Sequence, residues 1–174
     1  MTKTGSKKRR PKKATAKKPA SKKVILWDRV GALWFFSDLT DAEIDVVLPL
    51  CREMKGKAGE VMIREGDPVK NLYVLLSGEM FVFKKQADGT QALLAIVGKG
   101  DVVGELSFLQ STCASVTVKA KKPFTALAID QRDLQRLLVI DLNMAAKLYK
   151  KLAFIASRSL STTLRHHFEG QTKL

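Results

Sequence analysis

Val102-Val103-Gly104-Glu105-Leu106-Ser107-Phe108-Leu109, followed by Ala114-Ser115-Val116-Thr117-Val118, reads as strand, tight turn, one-turn helix and strand. Gly104 lets a backbone approach closely, and the amides after it point out of a helix N-terminus, where an anion is held. Glu105 is the only carboxylate between Asp101 and Asp130. An isolated acid beside an anion cradle suits a ligand with a phosphate and a sugar hydroxyl. The plainer reading is a strand–turn–helix connection with Glu105 solvated.

Outward from this stretch, residues 61 to 129 form short β-rich runs between glycines. The runs are Val61–Ile63, Leu72–Leu76, Met80–Phe83, Ala92–Val97, Val116–Val118 and Phe124–Ile129, with a hairpin at Ala87-Asp88-Gly89. Spacings near ten residues with turn signals argue an antiparallel barrel or jelly roll. Before them, Thr40-Asp41-Ala42-Glu43 is a capping box that opens a helix to about Cys51. A short helix from about Asp28 precedes it in the aromatic-rich segment of Trp27, Trp34, Phe35 and Phe36. After the strands, Asp130 caps a helix to about Val139, and a second helix runs from Asp141 to about His167. No internal repeat is visible.

Several segments together resemble the cyclic-nucleotide-binding domains of protein kinase A regulatory subunits and bacterial catabolite-activator-type regulators. They are Ala58-Gly59-Glu60-Val61-Met62-Ile63-Arg64-Glu65-Gly66-Asp67-Pro68, Leu72-Tyr73-Val74-Leu75-Leu76-Ser77-Gly78-Glu79 and Gly100-Asp101-Val102-Val103-Gly104-Glu105-Leu106. The resemblance covers roughly Val30 to Arg165. It implies an α+β fold: an antiparallel β-roll (jelly roll) with flanking N- and C-terminal helices. The opening stretch then resembles the phosphate-binding cassette of that family.

The resemblance implies a pocket built from Val103, Gly104, Glu105, Leu106, Ser107, Ala114 and Ser115. Amides near Leu106 and Ser107 face an anion, Glu105 accepts a ribose hydroxyl, and Ser115 donates to the phosphate. Val102, Val103 and Leu94 form an apolar wall for a base. One position departs from the pattern. The family carries a Pro-Arg-Ala or Arg-Ser step in which the Arg pairs with the cyclic phosphate, and here the Pro and Arg places hold Cys113 and Ala114. Losing such a pair costs about 2–5 kcal/mol, or ~30-fold to several thousandfold in affinity. Two readings stay open: a ligand pocket with weak or altered preference, and a vestigial pocket that only keeps the barrel shape. Lys99 and Lys119 are near enough in sequence to replace the lost Arg.

Composition bounds the rest. The chain has 174 residues, 45% of them apolar, which suits one domain with a substantial core. Net charge is +14, yet 11 of the 31 basic residues lie in residues 1–23, which contain no acid. Residues 1–23 therefore read as a basic tail, disordered when free, and residues 24–174 as the domain. The tail could bind nucleic acid, anionic lipid or another polyanion through counterion release, or simply solubilise the chain. No apolar run reaches the ~18 residues of a membrane span, and the N-terminus lacks the apolar stretch of a secretory signal. Cys51 and Cys113 do not make a disulfide scaffold, so a reduced cytoplasmic setting is the default.

No Ser-His-Asp, Cys-His or paired-carboxylate arrangement stands out, so no enzyme activity, cofactor or metal is expected. The strands contain no His, which argues against a metal-binding cupin; His166 and His167 adjoin at a helix end with no acid or Cys at ligand spacing. No Lys, Arg or His adjoins Cys113 in sequence to lower its pKa, so it reads as a small apolar side chain. Leu148, Leu152 and Ile155 make a stripe on the 141–167 helix, which packs on the barrel or forms a parallel homodimer. Ser157, Ser159 and Ser161 lie where a lid would meet a base. Too few residues follow that helix for a helix-turn-helix. The expected function is a non-catalytic regulatory module with a possible cyclic nucleotide ligand. The alternative is a degenerate dimerisation or interaction scaffold with its tail on a polyanion.

Overall fold

The computed structural model describes residues 30–171. Eight antiparallel strands form two four-stranded sheets. In chain order they are β1 (Cys51–Gly56), β2 (Val61–Ile63), β3 (Asn71–Ser77), β4 (Met80–Lys85), β5 (Gln91–Val97), β6 (Val102–Val103), β7 (Thr117–Ala120) and β8 (Phe124–Asp130). The first sheet runs β1-β8-β3-β6 and the second β2-β7-β4-β5. Helices α1 (Asp41–Val47), α2 (Glu105–Gln110), α3 (Gln131–Ile140) and α4 (Leu142–Gln171) flank them.

The period of two along β3 and β8 explains the layering. Leu72, Val74 and Leu76 on β3, with Leu127 and Ile129 on β8, join a buried cluster with the helices. Leu75, Phe124 and Ala126 point the other way and join Ile63, Met80, Val103 and Val118 between the sheets. Fully burying one such side chain contributes about 1.5–3 kcal/mol, so both faces of the first sheet are strongly specified. This is the expected α+β β-roll with helices at either end. Between β3 and β4 the chain turns at Gly78, with φ of 94°. A Cβ there would meet Pro123 O at 2.7 Å. Nearby, Lys121 and Lys122 hold the Glu79 carboxyl at 2.9 and 2.6 Å and draw its pKa down to about 2.

The N-terminal layer corrects two expectations. Thr40 and Glu43 do form a capping box, but α1 ends at Val47 rather than near Cys51. Pro49 lacks an amide hydrogen and its ring crowds the carbonyl four residues back, so the chain tightens into a 3₁₀ turn over Leu48–Leu50. Cys51 then opens β1, a strand the sequence reading omits. The short helix from about Asp28 survives in the described residues as a helical turn at 30–31 and a 3₁₀ turn over Trp34–Phe36.

Helix α4 shows which of the two readings of its Leu148, Leu152 and Ile155 stripe holds. Leu148 and Leu152 are 1% and 0% exposed and pack in the helical core with Met144, while Ile155 packs half-buried against it. The stripe read from the sequence is therefore spent on the chain's own barrel. Two lysines fix α4 to the N-terminal layer. Lys147 reaches both carboxylate oxygens of Glu43 at 2.7 and 2.8 Å. Lys151, itself buried, bonds Asp38 and Ser37, both at 2.9 Å. Among the described residues no helix is long and apolar enough to cross a membrane. The basic tail over residues 1–23 lies outside the described residues.

Candidate functional site

Strand β6 delivers the chain to Gly104, whose φ of 90° lies in the left-handed region. A Cβ at this position would stand 2.9 Å from the Asn71 carbonyl oxygen. Both strain and space thus demand glycine here. Gln131 Nε2 donates to that carbonyl and to the Gly104 carbonyl at 3.4 and 3.3 Å, tying the turn to α3. The turn starts α2, and Ser111, also left-handed with φ of 53°, caps its far end.

Beyond α2 the backbone of Ala114 pairs with the loop before β3. Its amide donates to Asp67 O and its carbonyl accepts from Gly66 N, both at 2.9 Å. Lys84 then secures the next residue from outside, with Nζ at 2.8 Å from the Ser115 carbonyl and 2.6 Å from Glu65 Oε1. The Lys84 ammonium holds the Glu65 carboxyl below its ordinary pKa.

These segments enclose one cavity of about 390 Å³, within the range of small-molecule sites. All seven candidate residues, Val103, Gly104, Glu105, Leu106, Ser107, Ala114 and Ser115, line it. So do Val102 and Leu94, the apolar wall expected from the sequence. Lys99 and Lys119 do not; both are exposed elsewhere. Cys113 is exposed and outside the lining, and the other thiol, Cys51, is pushed up to about 12 by burial.

The roof comes from residues distant in sequence. Trp34, Ile155, Arg158, Ser159 and Thr162 complete the lining. Of the three serines singled out on this helix, only Ser159 reaches the cavity. The Trp34 ring meets Phe154 at a tilt of 52° with centroids 5.3 Å apart, and Lys151 Nζ sits 4.2 Å from the Trp34 centroid. Trp34 and Arg158 escape the sequence reading. The available signal for Arg158 was its place between two serines already on the suspected lid.

Glu105 is 7% exposed, and its carboxylate accepts from Ser159 Oγ at 3.4 Å. Burial raises its pKa, while its own amide, Ser159 and the Leu106 and Gly104 amides pull it back. Above the ordinary value of 4.5 the unfolded chain releases this proton first. The domain therefore loses stability as pH rises from there through the raised folded value. Glu105→Gln should melt higher than the wild type near neutral pH and equally well at a pH below about 4. Thermal unfolding at the two pH values checks this, and coincident curves at both would reject it.

Residues 53–141 match the cyclic nucleotide-binding domain family. The chain is 28% identical over 121 residues to the cyclic AMP receptor protein of Thermus thermophilus, covering 67% of this chain and 56% of that one. It is 29% identical over 116 residues to the cAMP-dependent protein kinase regulatory subunit of Dictyostelium discoideum, covering 67% and 36%. Thus it spans between about a third and just over half the length of these curated relatives. In structure it resembles a cyclic nucleotide-binding domain from Methylobacillus flagellatus, with a TM-score of 0.74 at 19% identity over 87% of this chain and 85% of the other. With the family match extending from β1 through α3, this chain belongs to the cyclic nucleotide-binding domain family.

Proposed function

We propose that the chain is a non-catalytic regulatory module whose cavity takes a cyclic nucleotide with weakened or altered affinity. The observation that carries this reading is the cavity itself. It joins a buried acid, three serines and an apolar wall, yet its cassette side offers Ala114 where a cation would meet the phosphate. The same reading holds residues 24–174 to be the domain and residues 1–23 a basic leader that tethers it to nucleic acid or another polyanion, in a cytoplasmic setting.

Thermal unfolding with cyclic AMP and cyclic GMP tests it. A ligand at a hundredfold excess over its Kd stabilises the folded state by about 2.7 kcal/mol, which raises the melting temperature of a domain this size by roughly 5–10 °C. The expected result is a shift that needs ligand well above 10 µM. A chain lacking residues 1–23 should give the same shift while losing salt-sensitive binding to duplex DNA. No shift at millimolar ligand would leave the cavity vestigial.

We also infer a homodimer through α4, on a different face from the stripe the sequence suggests. Leu142, Ala146, Tyr149, Ala153, Ala156 and Leu160 alternate at spacings of four and three, the geometry of a two-helix seam. Leu142, Tyr149 and Leu160 are 75%, 42% and 60% exposed. Small residues between them would allow close helix approach.

A further inference from the structure

Arg158 is the only basic side chain lining the cavity among the described residues. The other charged lining residues are Asp101 and Glu105, and both are engaged. Asp101 accepts from the Gly98 amide at 2.8 Å and so closes the turn before β6. Glu105 accepts from Ser159 Oγ. The cassette itself contributes no cation. Among the described residues, an anion entering this cavity therefore meets one formal positive charge, and that charge is on α4.

The lysines of α4 that face the body of the protein are committed elsewhere. Lys147 pairs with Glu43 and Lys151 with Asp38. No hydrogen bond or ion pair from a described residue engages Arg158. Its place is nevertheless set by its neighbours: Lys151 fixes the helix two turns earlier, and the adjacent Ser159 touches Glu105 on the cavity floor. A guanidinium carries five donors in a planar fork that matches two phosphate oxygens. An arginine that no described residue engages, lining a cavity with no other cation among the described residues, is thus poised for an anionic ligand.

We propose that Arg158 pairs with the phosphate of the bound nucleotide and replaces, from the roof, the cation missing at Ala114. This rests on the reading of the cavity as a cyclic-nucleotide pocket. Its consequence is regulatory. With the phosphate contact on α4 rather than on the cassette, the ligand binds well only when α4 is docked, so occupancy and helix position become one equilibrium. The signal then reaches the N-terminal layer directly, because Lys147 and Lys151 connect α4 to Glu43 and Asp38.

Calorimetric titration of the full chain tests this with cyclic AMP, cyclic GMP and the uncharged nucleosides adenosine and guanosine. Hydrogen bonds to charged groups contribute enough that Arg158→Gln should weaken cyclic nucleotide binding about tenfold to thirtyfold. Nucleoside binding should change by less than about twofold, since no phosphate is present to lose its partner. Arg158→Lys should fall between, and Ala114→Arg should restore affinity to the Arg158→Gln chain. If the wild type binds a cyclic nucleotide and Arg158→Gln binds it equally, the inference is overturned while the pocket reading stands. Equal losses for nucleotide and nucleoside overturn it too, showing that Arg158 only shapes the helix. A wild type that binds no cyclic nucleotide overturns both. Because Arg158 is exposed, its unfolding temperature should be unchanged by either substitution.

Discussion

Ala114→Arg should raise the affinity for cyclic AMP by ~30-fold or more, the lower end of what a buried phosphate partner contributes. Ala114 lines the cavity and is only 6% exposed. Its backbone is held on both sides by the Gly66–Asp67 loop, so the substitution moves a side chain and not the loop. The gain has a cost in the empty protein. A guanidinium packed near Val103 and Val118 is desolvated, and a buried charge destabilises strongly unless it is well paired. The variant should therefore melt below the wild type without ligand and show a larger upward shift with it. The gain should also be smaller when Arg158 is present than in the Arg158→Gln background, because two cations would share one phosphate. Thermal unfolding with and without cyclic AMP reads both effects. A variant that is destabilised and gains no affinity would mean that the cavity does not hold a phosphate near β7.

What the sequence made legible was the part whose signals are local. Glycines at turns and period-two runs mark β2 through β8 within a residue or two, and the Gly104-Glu105-Leu106 turn is placed from its own residues. Strand β1 was not legible for a physical reason. Cys-Arg-Glu-Met-Lys-Gly carries three charges and no β-branched residue, and it is extended because it pairs along its whole length with β8. Strand propensity is weaker than that tertiary context. The site divides in the same way. All seven cassette residues could be named from one contiguous reading, and they do surround one cavity. Arg158 and Trp34 could not, because they reach it through packing of α4 and the N-terminal layer. Nor could periodicity decide which apolar stripe of α4 faces the barrel. Leu148 and Leu152 follow the same helical spacing as Tyr149 and Ala153, and only the position of the first sheet distinguishes them.

That distinction makes the second large effect. Leu152→Asp should abolish folding, whereas Leu160→Asp should leave a folded monomer. Leu152 is 0% exposed in the core shared by α4, α3 and the first sheet. Truncating such a leucine costs about 2–5 kcal/mol, and a carboxylate in its place adds an unpaired buried charge. The sum is comparable to the whole stability of a domain, about 5–15 kcal/mol. Leu160 is 60% exposed, so a charge there changes the stability of a single chain by no more than about 0.5 kcal/mol. In a parallel seam it would set two carboxylates against each other at the same level, with no water to screen them. Circular dichroism and light scattering together read both variants. A folded, monomeric Leu152→Asp would return the seam to the Leu148–Leu152–Ile155 stripe. A dimeric Leu160→Asp would remove it from the exposed face of α4, and a monomeric wild type at tens of micromolar would end the homodimer reading.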